Sequence, residues 1–240
     1  MKNLKNTISL IIMALTIVTS VKVNAQNPEN RNNEFDQVGV LHNELVERAI
    51  SEHTGKNLSL NEICNIFEDY VNQSPEAREF GANKIDTQLI EDGVNDFPNQ
   101  FRNVIKSINI STKAQTKAQE LIDRMFEMAF ADKEPNYSDV YNYVIAFETS
   151  IVSDKSLSSN DKKALLSGAS IARYSTLMWK NHYSEKYNNT TSKRKRRWWE
   201  WVVIGVADVA GGIGGSSVGA TVGGAAAASY YTGEIIDGGK

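Results

Sequence analysis

A single cysteine and three histidines limit the chemistry open to this chain. Cys64 alone cannot form an internal disulfide, and a zinc site built from cysteine pairs is excluded. His42, His53 and His182 do not form the HExxH pattern of a zinc hydrolase. The glycine-rich stretch near the C terminus has no Lys-Ser/Thr after it and no strand pattern before it. That excludes a phosphate loop and argues against a dinucleotide-binding fold. No useful length of sequence alternates apolar and polar residues, and no long internal repeat recurs. No cofactor is implied.

What is present begins with an export signal. Lys2 and Lys5 make a positive start, and Ile8–Val18 is an apolar run too short to span a bilayer, which takes about 20 residues. Val23-Asn24-Ala25 then offers small residues before a cut. No cysteine follows the apolar run, so a lipoprotein anchor is not available. Residues 1–25 read as a signal peptide, and the mature protein starts near Gln26. Removing them takes away three lysines and no acid, moving the net charge from −3 to −6. Residues 26–192 carry 17 basic and 25 acidic side chains, so an acidic body precedes the basic run Lys193, Arg194, Lys195, Arg196 and Arg197. An acidic body argues against nucleic-acid binding, which needs a basic face. Export without disulfides points to a bacterial periplasm, cell envelope or extracellular space.

Residues 26–35, rich in Asn and Glu, read as a disordered leader. Residues 36–185 read as an acidic helical domain. Val38, Leu41, Leu45 and Ala49 recur at helical spacing, and Ser59-Leu60-Asn61-Glu62 is a capping box opening a helix with Ile63, Ile66, Phe67 and Tyr70 on one face. Ser74-Pro75 marks another helix start, whereas Asp92-Gly93 and Phe97-Pro98 predict breaks. Later stripes are Leu121, Ile122, Met125, Met128 and Ala129; then Val140, Tyr143, Val144, Phe147 and Ile151; then Leu165, Leu166, Ala169, Ala172 and Leu177. The expectation is an all-α bundle of five to six helices.

Residues 186–197 form a polar and basic linker, and at Trp198 the composition changes. Residues 198–231 contain only Glu200 and Asp208 as charges, and a tail of 232–240 follows. Gly211, Gly215, Gly219 and Gly223 recur every four residues, with a second row of Gly212, Ser216, Ala220, Gly224 and Ala228. On a helix this is a continuous strip of small side chains, a glycine zipper, which lets another backbone approach closely. Glycine costs an exposed helix about 1 kcal/mol relative to Ala, so the stretch needs a partner surface as a helix or helical hairpin. Trp198, Trp199 and Trp201 at one end and Tyr230 and Tyr231 at the other suit the two edges of a bilayer, and the basic run suits anionic head groups. Two features oppose a simple anchor. Between Ala210 and Ser229 the large apolar residues are Ile213, Val218 and Val222, and a basic run on the exported side reverses the positive-inside rule.

Catalytic patterns are sparse. Cys64, His42 and Asn43 are the residue types of a thiol protease, yet adjacent His and Asn cannot readily fill two separate roles, and Ile63-Cys64-Asn65-Ile66-Phe67 is an apolar setting. His42-Asn43 reads as a capping or core-polar pair, and Glu44, Glu47 and Glu52 as a solvated helix face. Gly39-Val40-Leu41-His42-Asn43, Ser170-Ile171-Ala172-Arg173-Tyr174-Ser175 with Trp179, and Trp201 to Asp208 leading into the glycines together resemble a group of uncharacterised exported bacterial proteins. The last 43 residues also look like Gly-rich bacteriocin peptides, for which Lys193–Arg197 would be a processing site. That group has no assigned activity and lends no catalytic residues. The sequence therefore predicts an exported non-enzymatic protein whose glycine zipper associates with membrane lipid or with copies of itself. The alternative is a soluble envelope binding module whose Gly/Ala segment packs on its own body.

Overall fold

The computed structural model describes residues 27–81, 84–96, 99, 101–132, 136–188, 199–218 and 220–238. The expected signal peptide (residues 1–25), the basic run Lys193–Arg197, Trp198 and Gly219 lie outside them. The chain is all-α, with ten helices among the described residues: α1 (Asp36–His53), α2 (Leu60–Gln73), α3 (Pro75–Glu79), α4 (Thr87–Asp96), α5 (Arg102–Ser107), α6 (Thr112–Ala129), α7 (Tyr137–Ser153), α8 (Ser159–Asn188), α9 (Trp199–Val218) and α10 (Thr221–Gly238). In the body, six of the eight have ten or more residues, and α3 and α5 are short connectors.

Local chemistry sets the helix starts. Ser59 Oγ accepts from Glu62 N (3.3 Å) while Ser59 N donates to Glu62 Oε2 (2.8 Å), the reciprocal capping box expected for α2. Ser111 Oγ caps α6 through Ala114 N, and Ser158 caps α8 through Asp161 N. Pro75 occupies the first turn of α3, where its missing N–H loses nothing. The break predicted at Asp92-Gly93 does not occur. Helix α4 runs through to Asp96, and a side chain at Gly93 would approach the Phe101 ring at 3.8 Å. Asp96 supplies the real punctuation: its Oδ2 accepts from Asn103 N (2.6 Å) and Val104 N (3.2 Å), capping α5 across a Phe101 held at φ 57°.

The apolar stripes of α1, α2, α6, α7 and α8 face inward: Val38, Leu41, Phe67, Leu121, Met125, Val144, Ile151, Leu165 and Ala169 are all buried. What they surround is the C-terminal segment. Helices α9 and α10 form an antiparallel hairpin joined by two residues; α9 packs chiefly on α8 and α10, and α10 on α1 and α2, with α6 and α4 completing the wall. The reason is compositional. Amphipathic helices can offer only one stripe, so a helix that is apolar or small on every side takes the centre. Val202, Ile204, Val206, Val209, Ile213, Val222 and Ala225–Ala227 are all buried.

The expected disordered leader is corrected for residues 27–35. Asn30 Nδ2 donates to Glu148 Oε2 (2.6 Å), and Asn33 Nδ2 donates to Glu148 Oε1 (2.6 Å) and to the Leu166 carbonyl (2.9 Å). Arg173, wholly buried, donates to Glu148 Oε1 (3.0 Å), to Asp36 and to the Pro28 carbonyl. A buried guanidinium needs all its donors satisfied, and this short polar segment supplies acceptors that no apolar helix could. The segment is thereby a strap across α7 and α8.

Candidate functional site

The glycine strip is the first place to look. Its four predicted members do not share one helix. Gly211 and Gly215 lie on α9, Gly223 lies on α10, and Gly219 is outside the described residues. A Cβ at Gly211 would meet Ala225 Cα at 3.2 Å and Ala228 Cβ at 3.4 Å; one at Gly215 would meet the Ala220 carbonyl oxygen at 2.8 Å and Thr221 Cα at 2.9 Å. Those two glycines therefore let the arms of the hairpin touch backbone to backbone. Gly212 belongs to another contact, where a Cβ would run into the Ile171 side chain of α8, and a Cβ at Gly223 would lie 3.0 Å from Val71 of α2 and 3.4 Å from Ile85. Gly224 stands apart, since a Cβ there would meet nothing within 4 Å.

That open space is a cavity of about 270 Å³ between α4 and the hairpin. Its floor is small: Ala207, Gly211 and Gly215 from α9 with Ala220, Gly224 and Ala228 from α10. Its roof is Ile85, Leu89, Ile90 and Val94. Small floor residues leave width that larger side chains would fill, and the lining is almost wholly apolar.

Of the five predicted interface aromatics, Trp201, Tyr230 and Tyr231 have described side chains, and these lie in or against the core of the chain. Trp201 and Tyr230 are buried core residues, and Tyr231 is half-buried against the core. Trp199 begins α9. Phe67 and Tyr230 meet with ring centroids 6.1 Å apart, so Tyr230 belongs to the α2–α10 contact. Cys64 is buried, and burial pushes its thiol up to about 12, which removes it as a nucleophile at neutral pH. Glu44, Glu47 and Glu52 are exposed as expected.

Sequence reasoning missed a buried polar cluster where α1, α8, α9 and α10 meet. Asp208, in the middle of α9, is wholly buried, and its Oδ2 accepts from Ser175 Oγ and from Ser229 Oγ (2.9 Å). Trp179 Nε1 donates to Ser229 Oγ (2.9 Å). His42, also wholly buried, places Nε2 3.7 Å from Asp208 Oδ2. Beside it, Asn43 Nδ2 donates to the Tyr174 carbonyl (3.0 Å), which leaves Asn43 Oδ1 facing His42 Nδ1 at 3.0 Å, a contact that suits a proton on Nδ1. Gly39–Asn43, Ser170–Ser175 with Trp179, and Trp201–Asp208 converge on this point. The one advance signal was Asp208, a lone acid in an apolar run.

Burial holds the Asp208 carboxyl well above the usual carboxylate range, against the opposing serine hydrogen bonds. Burial likewise pushes His42 down to about 4, against the contacts of Asn43 and the Ala225 backbone. The signs oppose each other. The contribution from Asp208 is present below its unfolded pKa, about 3.9, and is lost as pH rises through its raised folded value. The contribution from His42 is present above its unfolded pKa, about 6.5, and is lost as pH falls toward 4. From about pH 4 upward the two slopes therefore run against each other, His42 strengthening the fold as pH rises and Asp208 weakening it. The cluster contains Ser, His and Asp, but both serine hydroxyls are bound to the carboxyl, and all four side chains are shut off from solvent. It is a core fastening, with no route for a substrate.

Among the described residues, no group of His, Cys, Asp or Glu could hold a metal ion, and no helix is long and apolar enough to cross a membrane. Comparison with family models, curated proteins and solved structures gives no match.

Proposed function

We propose that this chain is an exported, non-enzymatic binding module in which the Gly/Ala hairpin completes the core of its own helical body and frames an apolar recess for a ligand. One observation carries the reading: Gly211 and Gly215 are closed against α10, and Gly212 against α8, so the small-residue strip finds its partner surface within the same chain. Fastening by Asp208, His42, Ser175 and Ser229 supports it, because leaving the body would strip these buried polar groups of their partners. The second reading is that residues 198–231 leave the body to associate with lipid or with other copies. It draws on the small number of charged residues in the hairpin, with Asp208 alone between Trp201 and Tyr231.

Light scattering on the full chain and unfolding of a chain truncated after Arg197 separate the two. The binding-module reading expects a monomer without lipid and loss of the cooperative transition on truncation. An oligomer or liposome-bound species that disappears in Gly215→Ile, together with a truncated body that unfolds cooperatively, would establish the second reading instead.

A further inference from the structure

The recess has a shape and a charge pattern that specify its ligand further than the reading it rests on. Its α10 wall is one helical face, Ala220, Gly224, Ala228, Thr232 and Ile235, so it extends for about 20 Å at 1.5 Å per residue. Helix α4 lies along the same wall: Ile85 is beside Gly223 near the hairpin turn, and Val94 shares a wall with Ile235 at the far end. The cavity is therefore a slot. Its 270 Å³ exceeds the roughly 150 Å³ that holds a benzene ring in an apolar cavity. Spread along such a length, that space suits one extended hydrocarbon chain.

Both ends are acidic. Asp86 is exposed at the first, where its Oδ1 caps α4 through Gln88 N (3.0 Å) and Leu89 N (3.3 Å). At the second, Val94 and Ile235 also wall a wider, more polar vestibule that carries Ser59, Glu62, Tyr231 and Glu234. An anionic head group would meet carboxylates at either mouth. An uncharged hydroxylated or a cationic one would not be repelled.

We propose that the slot between α4 and the α9–α10 hairpin takes the hydrocarbon chain of a single-chain amphiphile, with an uncharged or cationic head group in the vestibule at Glu62 and Glu234. Gly224 is the test residue. Its Cβ would enter open space, so the side chain of Gly224→Leu would occupy the slot.

Isothermal titration of the full chain with monocaprin, decylamine and decanoate, each below its micellar concentration, measures this directly. Monocaprin and decylamine bind at one per chain, and decanoate binds at least tenfold more weakly. Gly224→Leu weakens monocaprin binding at least tenfold while the ligand-free melting temperature stays level or rises. Glu234→Gln narrows the gap between decylamine and decanoate. The proposal is overturned if neither monocaprin nor decylamine gives a saturable one-to-one isotherm, or if Gly224→Leu binds monocaprin unchanged. Light scattering on the same samples keeps the two levels apart. A monomer that binds no amphiphile sinks the slot alone, whereas a lipid-free oligomer sinks the binding-module reading beneath it.

Discussion

Two one-carbon additions in the same hairpin should move stability in opposite directions. At Gly215 a new Cβ would lie 2.8 Å from the Ala220 carbonyl oxygen, 2.9 Å from Thr221 Cα and 3.0 Å from Ala220 C. All three are backbone atoms in the hairpin turn, where Ala220 N also donates to the Gly215 carbonyl (2.9 Å). No rotamer relieves the contact, so the arms must part. Over-packing of this kind costs about 1–3 kcal/mol. The helix-propensity gain of Ala over Gly, at most about 1 kcal/mol and smaller in a last turn, offsets only part of it. At Gly224 the same atom meets nothing, and the propensity gain stands alone. For a chain of this size 1 kcal/mol is about 2–4 °C in melting temperature. Gly224→Ala should therefore melt up to about 4 °C higher, and Gly215→Ala lower, by up to about 12 °C. Calorimetry, with urea midpoints at an unchanged m value, reads both. If both variants gain stability alike, the strip near the turn faces open space, and the packing argument fails.

Asp208→Asn removes one side of the opposed pair. The variant should lose up to about 3 kcal/mol as pH falls from 6.5 to 4 through His42, whereas the parent, with Asp208 acting in the opposite sense, loses less; urea midpoints across pH 4–7 compare the two. Arg173→Met leaves Glu148 buried without its cation and should cost about 3–5 kcal/mol, with residues 27–35 becoming the first site of limited proteolysis. Ser59→Ala removes the α2 cap and should cost about 1 kcal/mol, a small shift in the urea midpoint.

The body was legible because its helices are amphipathic. Stripes such as Val38–Leu41–Leu45–Ala49 and Leu121–Ile122–Met125 repeat at the helical period, and each is buried as a unit. The strap was illegible for the opposite reason. Its Asn-rich composition matches a solvated tail, and what orders it is Glu148 and Arg173, more than 100 residues away in sequence. The hairpin turn was hidden among many glycines, any of which could end a helix. Where the strip folds back on itself therefore depends on which glycine meets which backbone. The slot was unreadable for a similar cause, because it is made by a side chain missing at Gly224 opposite Leu89 and Val94. Asp208 was visible as an anomaly, but its partners Ser175, Ser229 and His42 come from three other helices.

Native-state hydrogen exchange of the full chain without lipid bears most directly on whether the Gly/Ala hairpin is the centre of this fold. The amides of Ile204–Ala210 and Ala225–Ser229 should be among the slowest in the molecule, opening only with global unfolding. Exchange there that is faster than in the α6 and α7 amides around Met125 and Val144 would show a hairpin that opens on its own, and would contradict the account.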